Sequence, residues 1–348
     1  MFDSKNINHY LFAFGLILVA SFFGNRFKQA FESNDEYEMI RQYLLNESPL
    51  YGFNKPKLWI HSKYEINARK WKSFQSRNST DLNQPYLHLT IKTIINHCGD
   101  DFNVCLIDDE TFSNLIPSWD INVNLLAEPM KSHYRELGMA NLLYLYGGLV
   151  VPNSFICTKN LKSLYDATIS NGQPFVCENL NKSVNLAKQK HKMLFTPNGF
   201  FMGASKNNEA IRELIDYLQK RNKNPHFSCE VEFLGETQQW YIEMINEQKM
   251  TLISGELIGL KTNKRKPILL DDLMGDAYLD LSPNCLGIYI PSDELLIRTK
   301  YQWYTVLPTD DVLRASPIIS KYIMASIVDT SDEYHNSKKS EIRSVISI

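Results

Sequence analysis

From Lys57 onward, short apolar runs alternate with longer segments whose apolar residues recur every three or four positions. Leu58 to His61, Phe102 to Ile107, Leu149 to Val151, Pro174 to Glu178, Gly199 to Gly203 and Cys285 to Ile290 have the length and composition of strands. Pro85 opens a helix through His97 that carries Leu87, Leu89, Ile91, Ile94 and Ile95 at helical spacing. Lys131 to Tyr146 carries Leu137, Ala140, Leu143 and Leu145, and Asn207 to Arg221 carries Ile211, Leu214, Ile215 and Leu218. Further helices are expected at Trp71 and Phe74, from Glu110 to Leu115, and from Glu230 to Gln248. Strands alternating with amphipathic helices predict an α/β fold, a mostly parallel sheet flanked by helices.

The two ends differ from this body. Tyr10 to Gly24 is an uninterrupted uncharged stretch, shorter than the roughly 20 residues that a full span prefers. With Lys5 before it and Arg26 and Lys28 after it, it is expected to be an N-terminal hydrophobic helix retained as a membrane anchor. A polar stem follows and ends at Pro49, Gly52 and Pro56. The organisation expected is therefore an anchor over 1–26, a stem over 27–56, an α/β domain over 57–328 and a disordered Ser-rich tail over 329–348. The flanking charges are balanced and leave the side of the membrane open. Sequons at Asn46, Asn78 and Asn181 lean toward a lumenal domain.

The chain has 348 residues and a formal charge of −2, from 37 basic and 39 acidic side chains. Such a balance gives no broad positive field, so nucleic acid is not an expected partner. Six cysteines are dispersed without zinc-ligand spacing, as expected of small buried hydrophobes, with one or two disulfides left open for a lumenal domain. No dinucleotide fingerprint, P-loop or nucleophile elbow is present.

One junction is specific. The helix ending Tyr144-Leu145-Tyr146 runs into Gly147-Gly148, then an apolar strand that ends in Pro152-Asn153-Ser154. This segment resembles the glycosyltransferases of the capsular-polysaccharide-synthesis type, which carry an Asp-x-Asp (DXD) motif after a Tyr-Gly-Gly helix end. The resemblance extends more weakly over Lys57-Leu58-Trp59-Ile60-His61, Phe102 to Asp109 and Asn198 to Ala204, covering roughly Lys57 to Asp216. It implies a GT-A-like, nucleotide-diphospho-sugar transferase fold, a nucleotide-sugar donor and a glycan acceptor. It also implies Mn or Mg at the acidic pair, but Pro152 and Ser154 stand there and Asn153 offers only a neutral oxygen. On the preceding helix, Glu136 replaces the family's Asp and Met139 its Arg.

Candidate site residues follow from strand ends, where ligands of open α/β sheets bind. Asp108, Asp109 and Glu136 are the acids able to replace the missing pair, although Asp108 and Asp109 suit a helix cap equally well. His61, Gly147, Gly148, Asn153, Ser154, Glu178 and Asn198 are candidates for donor and acceptor contacts. Lys159, Lys261, Lys264 and Arg265 are cations that could neutralise a diphosphate without metal. Two functions stay open: sugar transfer from a nucleotide donor with altered or lost metal dependence, and a non-catalytic binding or structural protein on the same fold, tethered to a membrane.

Overall fold

A computed structural model describes residues 55–62, 84–181, 193–223 and 230–327. The expected anchor, the stem, the helix at Trp71 and Phe74, and the C-terminal tail lie outside the described residues. Among the described residues, no helix is long and apolar enough to cross a membrane.

The first elements are β1 (Lys57–His61), α1 (Tyr86–Cys98), β2 (Asn103–Ile107), α2 (Thr111–Leu115) and α3 (Met130–Tyr146). They are followed by β3 (Gly148–Val150), β4 (Phe155–Cys157), α4 (Lys162–Ile169), β5 (Phe175–Leu180) and β6 (Phe195–Ala204). Then come α5 (Glu209–Lys223), α6 (Glu230–Asn246), β7 (Thr251–Ile253), α7 (Leu270–Leu273), β8 (Gly287–Tyr289), α8 (Ser292–Ile297) and α9 (Thr309–Arg314).

Six strands form one sheet in the order β2-β1-β3-β6-β5-β7. The pairs β1 with β2, β1 with β3, and β5 with β7 are parallel, whereas β6 is antiparallel to both its neighbours. Five strands thus point one way and β6 alone opposes them, so the α/β class with a mostly parallel sheet is what the chain adopts. The central strands are covered on both faces, which explains why Leu58, Trp59 and Ile60 read as a continuous apolar run without alternation. One core gathers Trp59, Phe112, Leu137, Leu143, Val150, Met202, Ile211, Leu214 and Tyr241 between the sheet and its helices.

The structure corrects several boundaries. The strand expected at Gly199 to Gly203 begins at Phe195, because β5 extends the ladder from Phe175 to Leu180 around a register shift between Val176 and Cys177. Cys285 to Ile290 contributes β8, which leaves the main sheet and pairs with β4, Ile156 opposite Ile288. β4, β7 and α8 are too short to produce a readable period and were not expected.

The glycine doublet performs the junction its sequence suggests. Gly147 stops α3 with φ 69° and its N–H still bonds Leu143 O at 2.8 Å, while Gly148 begins β3 with φ 111°. Both lie in the region L side chains avoid. A Cβ on Gly148 would also collide with the carbonyl oxygen of Lys57, because β3 starts flush against β1. Trp59 Nε1 donates to Gly147 O at 2.9 Å and fixes the turn to the sheet.

Gly148→Ala is expected to destabilise the fold by about 3 kcal/mol, since backbone strain and a backbone clash combine there. Gly172→Ala, also at positive φ but with open space around the added Cβ, should cost about 1 kcal/mol. Denaturant unfolding of the two variants measures the difference, and equal costs would remove the β1 contact as the cause.

Candidate functional site

The carboxyl-terminal ends of β1 and β3 open into a cavity of about 260 Å³. Its lining includes His61, Arg135, Glu136, Pro152, Asn153, Ser154, Asn198 and Asp293, with Met139, Met202, Phe200 and Tyr289 supplying apolar surface. Such a crevice, outside the carboxyl ends of parallel strands, is where open α/β sheets bind ligands.

Its base is an ion-pair cluster. Asp109, just past β2, receives Arg135 of α3 in a two-point grip, Nε to Oδ1 at 2.9 Å and Nη2 to Oδ2 at 2.8 Å. His61, at the end of β1, meets the same Oδ1 at 3.0 Å and stacks on Phe112, ring centres 5.5 Å apart. Burial by itself would raise the Asp109 carboxyl, but the hydrogen bonds and charges of His61 and Arg135 outweigh it and hold the group well below the usual carboxylate range. An ionised carboxylate only accepts, so the His61 nitrogen facing it carries the proton. The Asp109 and Arg135 side chains are 9% and 7% exposed, which makes the pair costly to break.

Glu136 is the neighbouring helix residue and behaves in the opposite way. Enclosure raises its carboxyl to about 7, opposed by a smaller effect from the Tyr241 hydroxyl, which donates to Oε1 at 3.4 Å. Adjacent acids therefore divide the work: Asp109 is locked in its charged form, and Glu136 can exchange a proton near neutral pH.

The Pro152-Asn153-Ser154 turn forms the wall opposite α3. Ser154 is buried, and its Oγ donates to Ile290 O at 2.7 Å. Asn153 O accepts from Thr90 Oγ1 of α1 at 2.6 Å. A divalent metal at a strand end favours oxygens with negative charge. Pro152 has no ligand atom, Ser154 Oγ is committed to a carbonyl, and the Asn153 side chain is neutral, so the donor set at this position does not fit Mn or Mg. Among the described residues there is no group of three or more His, Cys, Asp and Glu side chains that could hold a metal.

The structure brings together His61, Glu136, Asn153, Ser154 and Asn198 around one cavity, with Asp109 immediately behind His61 and Arg135. The other candidates lie elsewhere. Asp108 is exposed and caps α2, its Oδ1 accepting from Glu110 N at 3.1 Å and Thr111 N at 2.9 Å, so the capping role prevails over a catalytic one. Glu178 pairs with Lys261 and accepts from Gly255 N at 2.8 Å, which ties β5 to a distant loop instead of an acceptor. Gly147 and Gly148 shape the junction without lining the cavity.

Of the candidate cations, Lys261 is occupied by Glu178 and Lys159 Nζ donates to Pro283 O at 2.7 Å. Arg265 sits 3.4 Å from Glu256. Asn181, the only described sequon asparagine, is buried and donates to Met193 O at 3.0 Å, which argues against a glycan there.

Sequence reasoning missed Arg135, Gln84, Tyr289 and Asp293. Arg135 could have been noticed as a cation one position before Glu136, with Gly138, Met139 and Leu142 following it on the same helix face. Tyr289 and Asp293 come from the C-terminal third of the chain and reach the cavity only through the pairing of β8 with β4.

No protein-family model and no curated protein matches this chain. Among solved structures, the galactosyltransferase LgtC in complex with donor and acceptor sugar analogs is similar at 9% identity and a TM-score of 0.37, over 74% of this chain and 99% of that one. The glycosyltransferase GlyE of Streptococcus pneumoniae TIGR4 is similar at 11% identity and a TM-score of 0.38, over 81% of this chain. The match spans 64% of GlyE, less than two thirds of its length. An active-site mutant of LgtC is similar at 12% identity and a TM-score of 0.31.

Asp109→Ala leaves Arg135 buried without its bidentate partner and should destabilise the fold by about 3 kcal/mol. The depressed carboxyl contributes stability that is fully present above its unfolded value of about 4 and is lost as the pH falls below that. The wild type should therefore lose stability faster than Asp109→Ala on acidification, as urea midpoints across the acid range will measure. Parallel acid limbs would remove Asp109 from the account.

Proposed function

We propose that this protein binds a nucleotide sugar in the cavity and transfers the sugar to a hydroxyl of a glycan or glycoconjugate. The observation that supports the reading most directly is a carboxyl with a near-neutral pKa, Glu136, on the wall of a cavity at the carboxyl ends of parallel strands. The resemblance of Lys57 to Asp216 to glycosyltransferases, centred on Gly147-Gly148, points the same way.

In this reading Glu136 accepts the proton from the attacking acceptor hydroxyl, a role suited to a base poised near the working pH. Polar side chains of Asn153 and Asn198 orient sugar hydroxyls, while Phe200, Met139 and Met202 keep water from the reacting carbon. Arg135 and His61 stand at the cavity floor, where their N–H groups and partial charge can meet a diphosphate. No step requires a metal at the strand end. The apolar stretch over residues 10–24 would hold the domain at a membrane, where lipid-linked or surface glycans are accessible.

A second reading is favoured by one specific observation: the charge of Arg135, at the cavity floor, is already balanced by Asp109. A cavity with balanced cations can hold a sugar without stabilising a diphosphate as it leaves. The protein would then be a sugar-binding or structural component on the same fold.

A panel of nucleotide sugars, assayed by thermal shift with and without Mn²⁺, separates these readings. A true donor at a hundredfold excess over its Kd should stabilise the fold by about 2.7 kcal/mol, with the same shift in both arms. Transfer or hydrolysis of that donor should rise with an apparent pKa near 7, and Glu136→Gln should remove the rise and lower kcat by about 100-fold or more. Binding without turnover, or no shift with any donor, would defeat the transfer reading and favour the second.

A further inference from the structure

Two buried thiols lie beside each other outside the cavity lining. Cys98 is the last residue of α1 and Cys157 the last of β4, 59 positions apart, and their Sγ atoms are 3.8 Å from each other. Both residues are fully buried. Of the other described cysteines, Cys105 Sγ faces Asn103 O at 3.4 Å, Cys177 Sγ faces Ile253 O at 3.4 Å, and Cys285 Sγ faces Gly287 O at 3.1 Å.

The backbones around the pair are already tied. Thr93 Oγ1 of α1 accepts from Cys157 N at 2.9 Å, and Thr90 Oγ1, one turn earlier, donates to Asn153 O at the cavity wall. Ser326 Oγ donates to Cys157 O at 2.5 Å and meets His97 Nε2 at 3.1 Å, closing the far side. Chain segments held on both sides of two sulfurs have little freedom to separate, which keeps the Sγ atoms 3.8 Å apart, against roughly 2.05 Å in an S–S bond.

We propose that Cys98 and Cys157 form a disulfide when the chain folds in the presence of a small disulfide oxidant, and that this bond fastens the Asn153-Ser154 wall to α1. In the reaction, the Cys98 thiolate attacks one sulfur of the oxidant, the oxidant's S–S bond breaks, and one small thiolate leaves. The Cys157 thiolate then attacks the Cys98 sulfur of the mixed disulfide and expels the second small thiolate. Two cysteine protons are released, the protein sulfurs are oxidised by two electrons, and the oxidant is reduced by two.

In the folded protein the Cys98 thiol is lowered first by its hydrogen bond with Cys157, whereas burial holds Cys157 high; in the folding chain, before that contact forms, the same two-step exchange balances with either thiolate attacking first. Because both sulfurs are sealed from solvent, exchange belongs to the folding chain, and the finished bond is shielded from reductants. This inference rests on the packing of α1 against β4 and not on the sugar-transfer reading.

The full chain is unfolded with reductant, then refolded in oxidised and reduced glutathione at graded ratios, and free thiols are blocked in acid denaturant. Peptide mapping is expected to find one dominant cross-link, joining the peptides of Cys98 and Cys157, with two hydrogens lost. The oxidised protein should melt on the order of 10 °C above the reduced one. Cys98→Ala and Cys157→Ala should each abolish that redox-dependent shift, and the mapping of the wild type decides the matter even where a variant fails to fold. A different dominant pairing, including one through Cys229, overturns the inference. So does a folded wild type with both thiols still free at an oxidising ratio.

Discussion

The carboxylate of Asp109 is gripped from two sides, by the planar guanidinium of Arg135 and by the His61 ring, and the architecture of the cavity depends on that grip. Three elements meet there: the end of β2, the end of β1 and the first half of α3. Each brings a charge or a polar ring that could not be buried alone, because desolvating an unpaired ion costs several kcal/mol. Brought together, Asp109 offsets the Arg135 charge and accepts from both partners, and Glu136, the next residue on α3, lines the cavity.

That placement sets the electrostatic character of the site. Asp109 accepts from Arg135 and His61 and stays charged, whereas Glu136, which accepts from the Tyr241 hydroxyl at 3.4 Å, is lifted by its enclosure. The same side-chain chemistry, separated by one helix and one strand end, is thereby split into a fixed anion and a group that titrates near neutrality. The opposite wall is fixed by backbone contacts instead: Asn153 O takes a hydrogen bond from α1, and the Ser154 hydroxyl is spent on Ile290 O. A wall built this way holds shape well and offers a divalent metal no charged oxygen.

The C-terminal third completes the enclosure by a route that local patterns do not reveal. β8 pairs with β4, which begins directly after Ser154, and carries Tyr289 to the cavity rim, and α8 adds Asp293. Phe200 of β6 packs against Tyr289 with ring centres 4.7 Å apart, so a strand from the main sheet and one from the small sheet share one apolar rim.

What the sequence by itself determined is the class of the fold and its sharpest joint. Runs such as Lys57 to His61 and Phe102 to Ile107 can only be buried on both faces, and Gly147-Gly148 permits positive φ and contact with the Lys57 backbone where no other residue would fit. These are local constraints, written in hydrophobicity and in the missing Cβ. Only the tertiary structure decided which candidates share a site. Asp108 and Asp109 are neighbours in sequence, yet one caps a helix in solvent and the other anchors Arg135 and the His61 ring, because the chain turns just past β2 and only Asp109 comes within reach of β1 and α3. Glu178 went to Lys261 and Arg135 to Asp109 for a reason no local pattern contains: a buried charge takes whichever opposite charge the fold delivers within reach, at separations of 83 and 26 residues.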